Sequence, residues 1–149
     1  LYGGDHPRAG EFGHNTHDPH GRPCYCGKQR CLDAYCSTKV LSQLTDANLA
    51  LFLDGLRPGN AAFQTAWTDY LSYLAVAVNN LRMTFDCDVI VGGYVGGFLA
   101  EFGEPLREML VERNTFEPDS SYLKFSRYRL EASALGAALL HIEAFIQNL

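Results

Sequence analysis

Glu11-Phe12-Gly13-His14 and, downstream, Cys24-Tyr25-Cys26-Gly27-Lys28-Gln29-Arg30-Cys31-Leu32-Asp33 form the stretch on which the reading of this 149-residue chain turns. Three thiols stand at the spacing Cys-x-Cys-x4-Cys, and His6, His14, His17 and His20 crowd the residues before them. The segment from Gly3 to Pro23 is rich in glycine and proline, a composition that favours irregular backbone. Long loops without internal structure are uncommon in a compact domain unless something ties them down. Zinc fits that need, because it takes four tetrahedral sulfur or nitrogen donors at about 2.0 to 2.3 Å. Three cysteines and one histidine would close the shell and leave no position for an activated water, so the metal would be structural. Spacing alone does not choose the fourth ligand among the four histidines. The plainer alternative is a set of reduced cysteines in a polar loop.

Composition sets the frame around that loop. A chain with 47% apolar and 12% aromatic residues can bury a core without covalent staples. Five cysteines are an odd number, clustered in a way that suits a metal better than disulfides, and Cys36 and Cys87 are expected to be buried bystanders. A net charge of -5 argues against a surface that binds nucleic acid by itself. Apolar runs fall short of the ~20 residues that span a membrane, no secretory signal opens the chain, and the cytoplasm is the expected setting. The opening Leu1-Tyr2-Gly3-Gly4 reads as the end of a strand and its turn, and the chain as the tail of a longer protein.

Periodicity supplies the elements. Leu32, Tyr35, Cys36, Val40, Leu41 and Leu44 follow helical spacing. Thr45 or Asp46 is placed to cap a second helix with the face Leu49, Phe52, Leu53 and Leu56, stopped by Arg57-Pro58-Gly59. Phe63, Trp67, Tyr70, Leu71, Leu74, Val78 and Leu81 mark a long helix from Asn60 to about Met83. Val89-Ile90-Val91 reads as a strand buried on both faces. It enters a glycine turn at 92–97 and then helical spacing from Phe98 to Leu110, with Pro105 suited to a first turn. A second strand is expected over 122–128 and a last helix from about Glu131 to Gln147. Strand and helix alternate, so the class is α/β. The expected division is a zinc loop at 11–33, helices at 32–83, a strand, glycine turn and helix at 88–113, and a strand and final helix at 122–148.

With these residues in hand, Ala9-Gly10-Glu11-Phe12-Gly13-His14, Cys24-Tyr25-Cys26-Gly27 and Cys31-Leu32-Asp33 resemble the signature of the ROK family of sugar kinases and sugar-responsive repressors. Val89-Ile90-Val91-Gly92-Gly93 is similar to its strand-Gly-Gly element, and Leu135-Gly136-Ala137-Ala138 to its C-terminal helix. The resemblance covers nearly the whole chain. It implies the C-terminal lobe of an actin-like, ribonuclease-H-like sugar kinase fold, and it selects His14, Cys24, Cys26 and Cys31 as the zinc ligands. It further implies that Glu11 and His14 contact sugar hydroxyls and that Asp33 takes the place of a sugar-binding glutamate. A carboxylate accepts hydrogen bonds from sugar hydroxyls, and a ligated imidazole keeps its second N–H for a ligand. Without the resemblance, Glu11 reads as a solvated loop acid and Asp33 as a helix first-turn acid.

Two positions depart from the family pattern. Arg30 stands where a glycine usually precedes the third cysteine, and Asp33 is one methylene shorter than the usual glutamate. Shortening that carboxylate would weaken positioning for chemistry more than binding for sensing. The glycine turn at 92–97 lies where family kinases approach adenine nucleotide, but a sharp turn after a strand accounts for it as well. Neither a phosphate-binding segment nor a catalytic aspartate lies in these residues, so the chain alone phosphorylates nothing. Asp33, and the Tyr25 associated with repressor members, favour the sugar-sensing domain of a NagC-like transcriptional regulator, with DNA bound through an upstream domain. The alternative is the C-terminal half of a kinase for a hexose or amino sugar, which would use ATP and Mg2+. A homodimer is expected if the Leu49 or Phe63 helix exposes its apolar stripe.

Overall fold

The structure is a computed structural model that describes residues 4–6, 8–128 and 131–148. The strand end expected at Leu1-Tyr2-Gly3 lies outside the described residues. Two compact units divide the chain, Leu1–Asn80 and Leu81–Leu149. No helix among the described residues is long and apolar enough to cross a membrane.

In the first unit a cross-tied loop leads into helices. A 3-10 turn at Phe12–His14 is followed by α1 (Asp33–Cys36), α2 (Thr38–Ser42), a second 3-10 turn (Gln43–Thr45), α3 (Leu49–Leu56) and α4 (Ala61–Phe85), the residues of α4 from Leu81 onward belonging to the second unit. The helix expected from Leu32 to Leu44 is split, because Ser37 takes an extended ψ of 153°. Serine competes for backbone hydrogen bonds and prefers such boundary positions. Asp46 and Ala47 both turn left-handed, so the cap of α3 moves from the expected Thr45 or Asp46 to Asn48, whose side chain accepts from the Leu51 N–H at 3.1 Å. Asn60 starts α4 in the same way, accepting from Ala62 at 3.0 Å and Phe63 at 3.2 Å.

The helices α3 and α4 bury much of their apolar stripes. Phe52, Leu53, Leu56, Trp67, Tyr70 and Leu71 are buried, and the Phe52 and Phe63 rings pack with centroids 5.0 Å apart. Each such large apolar side chain contributes about 1.5–3 kcal/mol. The stripes that were to serve a homodimer if exposed are therefore core. Cys36 and Cys87 also depart from expectation. Cys36 is half-buried, with its thiol 3.9 Å from the Tyr70 carbonyl oxygen, and Cys87 is exposed.

The second unit pairs β1 (Val89–Val91) with β2 (Leu123–Phe125) in parallel, Val89 opposite Leu123. Parallel neighbours need a crossover. It is supplied by α5 (Gly93–Gly96), α6 (Leu99–Phe102) and α7 (Glu104–Arg113), with Pro105 in the first turn of α7. Leu106, Leu110 and Leu123 are fully buried. Ile90, however, is 68% exposed, so β1 is not covered on both faces. The second strand stops at Phe125, since the Ser126 hydroxyl donates to the Tyr128 carbonyl in a local turn. The glycine turn is explained by packing: a Cβ on Gly96 would come within 2.6 Å of the Val91 carbonyl oxygen. Arg82 at the end of α4 forms a forked ion pair with Glu117, one arm of which measures 3.0 Å. The last helix, α8 (Ala132–Ile146), exposes Leu135, Leu139, Leu140, Ile142, Phe145 and Ile146.

Candidate metal centre and its acidic flank

The loop is held by its own backbone before any metal is considered. His17 N–H donates to the Arg30 carbonyl (2.7 Å), Arg30 N–H to Arg22 (2.8 Å), Cys24 N–H to Lys28 (2.7 Å) and Leu32 N–H to Asn15 (3.1 Å). These ties bring residues 15–24 alongside residues 28–32. A second pin is aromatic. Tyr35 is buried, its hydroxyl accepts from the Arg22 N–H at 2.8 Å, and its ring lies against those of Tyr73 and His17.

Folded this way, the loop gathers His14, Cys24, Cys26 and Cys31 so that one ligand atom from each lies within 4.8 Å of the others. Cys26 Sγ and Cys31 Sγ are 3.6 Å apart, and Cys24 Sγ is 3.9 Å from His14 Nδ1. The edge of a tetrahedron with ~2.3 Å metal–sulfur bonds is about 3.8 Å. Donor types and spacings therefore fit zinc. Cys24 and Cys31 are buried, while Cys26 lies at the surface. The Lys28 backbone N–H holds the Cys26 thiol below its usual range, whereas burial and the neighbouring thiols push Cys31 up to about 11. Of the candidate histidines only His14 joins this group among the described residues. His17 packs on Tyr35 and Tyr73, and His6 and His20 are exposed.

Asp33, in the first turn of α1, stands beside the cluster. Its Oδ2 accepts from the Tyr25 hydroxyl at 2.8 Å, and that hydroxyl oxygen is also 3.4 Å from His14 Nε2. Hydrogen bonding to Asp33 pushes the Tyr25 phenol up to about 12, so it remains a donor. Beneath the carboxylate lies Gly13, where a Cβ would come within 2.3 Å of Asp33 Oδ1. Glu11 is exposed at the start of the 3-10 turn, two residues from Gly13. An open cavity of about 360 Å³ is lined by His14, Thr16, Cys26 and Lys28 through Cys31.

Three contributions escaped the sequence reading. Gly13 acts as a seat for Asp33, Tyr25 links Asp33 to His14, and Lys39 lies 5.4 Å from the centre of the Tyr25 ring. A clue to Tyr25 existed in its place between two candidate ligands, Cys24 and Cys26. Its partner is fixed only by the fold. Arg30 stands where the family pattern has glycine, and its φ of 76° shows why glycine suits that position.

Comparison with known proteins follows the same lines. The ROK family profile matches residues 1–144. The chain is 36% identical over 142 residues to the N-acetylmannosamine kinase of Salmonella arizonae, an alignment covering 89% of this chain and 46% of that protein. It is 35% identical over 144 residues to the N-acetylmannosamine kinase of Escherichia coli strain SE11, with the same coverage. Among solved structures it is similar to a ROK family glucokinase from Streptomyces griseus in complex with glucose and AMPPNP, with TM-score 0.69, 23% identity and coverage of 89% of this chain and 51% of that one. It also matches the ROK hexokinase of Thermus thermophilus, with TM-score 0.69, 27% identity and coverage of 95% and 52%. The chain spans about half the length of the relatives it matches. The fold is accordingly the α/β, actin-like type of the sugar kinases.

Proposed function

Because the chain belongs to the ROK family, we propose that it is the C-terminal portion of an ATP-dependent sugar kinase acting on a hexose or amino sugar. In this reading His14, Cys24, Cys26 and Cys31 hold one zinc, and Glu11, His14 and Asp33 meet the sugar hydroxyls. The observation that carries it is the placement of the Asp33 carboxylate against a four-donor metal cluster through Tyr25. Zinc in a closed shell of three thiolates and one imidazole supplies folding free energy and sets the geometry of its neighbours. A metal bound through His14 Nδ1 leaves Nε2–H as a donor on the side where Asp33 lies.

Kinase relatives support this reading over the sugar-sensing regulator that Asp33 had favoured. Their sugar, N-acetylmannosamine, makes an amino sugar the first substrate to try. Nucleotide, Mg2+ and the catalytic base belong to the remainder of the whole protein in this proposal, and a homodimer remains compatible with it. Segment 11–33 would be the zinc loop, 32–83 its helical support, and 88–113 and 122–148 the strand-bearing part. The cytoplasm suits the reduced thiolates. The test is ADP formation by the purified full-length protein with N-acetylmannosamine, glucose and no sugar. Sugar-dependent ADP formation supports the kinase. Its absence, together with sugar-responsive binding of a DNA operator, would return the regulator.

A further inference from the structure

Tyr25 is 69% exposed and lies between two metal ligands in sequence, yet its hydroxyl is not free. It donates to Asp33 Oδ2 at 2.8 Å and lies 3.4 Å from His14 Nε2. His14 turns its other nitrogen, Nδ1, toward Cys24 Sγ. With Nδ1 bound to a metal, the ring proton would reside on Nε2, and one consistent direction of donation would result: His14 Nε2–H to the Tyr25 oxygen, and the Tyr25 O–H to Asp33. The phenol is itself held, its ring edge-on to His14 at 5.3 Å and capped by the Lys39 ammonium at 5.4 Å. Asp33 is confined from the other side by Gly13, over which its carboxylate lies too closely for any Cβ.

We infer that Tyr25 is a positioning residue of the sugar site, fixing one carboxylate oxygen of Asp33 against the metal clamp so that the other is the oxygen offered to the sugar. The inference rests on the kinase reading above. A glutamate at this position, one methylene longer and without such a tie, would be free to offer both oxygens. The shorter Asp33 is tied at Oδ2 while its Oδ1 lies over Gly13, so one oxygen in one orientation is left to accept from a ligand. This makes the contact at Asp33 selective for one hydroxyl instead of a vicinal pair. The sequence pattern that allows it is the coupling of a short acid at position 33 with a phenol at position 25.

The experiment uses the full-length protein as wild type, Tyr25→Phe, Asp33→Asn and the double variant. Readouts are zinc per chain, the dissociation constant for N-acetylmannosamine and for glucose from concentration-dependent thermal stabilisation, and KM and kcat. Tyr25→Phe removes only the hydroxyl. A hydrogen bond to a charged group at an exposed site predicts sugar binding weakened about five- to tenfold, carried by KM, with zinc retained. In the Asp33→Asn background the same change should cost less than about twofold, because the charged acceptor has gone. Equal losses in both backgrounds, no loss in Tyr25→Phe, or loss of zinc from it would overturn the inference while leaving the kinase reading intact. A wild type that neither binds nor turns over either sugar would overturn both.

Discussion

Replacing Gly13 with alanine separates the fold of the loop from the use to which Asp33 is put. Gly13 sits in the 3-10 turn Phe12–His14, and its backbone shows no left-handed φ, so alanine is conformationally acceptable there. The difficulty is space. A Cβ would come within 2.3 Å of Asp33 Oδ1, 2.8 Å of Cγ and 3.1 Å of Oδ2. Ordinary carbon–oxygen contact is roughly 3.3 Å, so the carboxylate must retreat by about 1 Å. That displacement is enough to stretch the 2.8 Å bond from Tyr25 beyond hydrogen-bonding range. Asp33 is a partly exposed side chain that can rotate, so the cost to folding should stay below about 1 kcal/mol. If Asp33 positions the sugar, turnover has no such escape, because a misplacement of about 1 Å at a positioning group costs on the order of a hundredfold in rate, and sugar binding is expected to weaken about tenfold. The assay is thermal unfolding of full-length protein with and without N-acetylmannosamine. At a sugar concentration of about 100 times the wild-type dissociation constant, stabilisation is about 2.7 kcal/mol, and a tenfold weaker variant retains about 1.4 kcal/mol. A Gly13→Ala protein that keeps its zinc, its melting temperature and its full sugar response would refute the reasoning that places Asp33 in the sugar site.

Other perturbations test separate parts of the account. Arg30 adopts φ 76°, a conformation that costs a residue with a side chain about 1–2 kcal/mol. Part of that is offset by the greater unfolded-state entropy of glycine, so Arg30→Gly should stabilise the loop by roughly 0.5–1 kcal/mol in chemical denaturation, and a destabilised variant would show that the Arg30 side chain makes compensating contacts. In the second unit, the Arg82 guanidinium, with Asn114, holds the Glu117 carboxyl below its usual range. A depressed carboxylate contributes stability above its unfolded value and loses it as pH falls through the folded one. The melting-temperature difference between wild type and Glu117→Gln should therefore be present at pH 7 and shrink below about pH 4, and a gap that widens in acid would reverse the assignment.

How much of this was legible in the sequence depends on the range of the interaction. The long helix was readable from Phe63 to Val78 because its apolar stripe repeats over many turns, and Val89–Val91 because β-branched residues run together between polar breaks. Boundaries were less readable. The break at Ser37 and the cap at Asn48 depend on local dihedrals that neighbouring candidates such as Thr45 fit equally well on composition. Burial across the sheet was less readable, and Ile90 shows it: its pattern suits a strand covered on both faces, yet it is 68% exposed in this chain. At the site, donor types and spacing marked the cysteines as a metal cluster. Choosing His14 over His17 needed either family resemblance or the fold, which sends His17 onto Tyr35 and Tyr73. The partnership of Tyr25 with Asp33 joins residues eight positions apart through a loop without periodicity, and no pattern rule reaches it.

The most direct measurement is sugar-dependent ADP formation by the full-length protein with N-acetylmannosamine, before and after zinc is stripped with a chelator and then restored. The account predicts turnover in the native protein, loss on stripping and recovery on adding zinc alone. Turnover that persists unchanged in protein shown to be zinc-free would contradict the claim that the clamp formed by His14, Cys24, Cys26 and Cys31 sets the geometry of the sugar site.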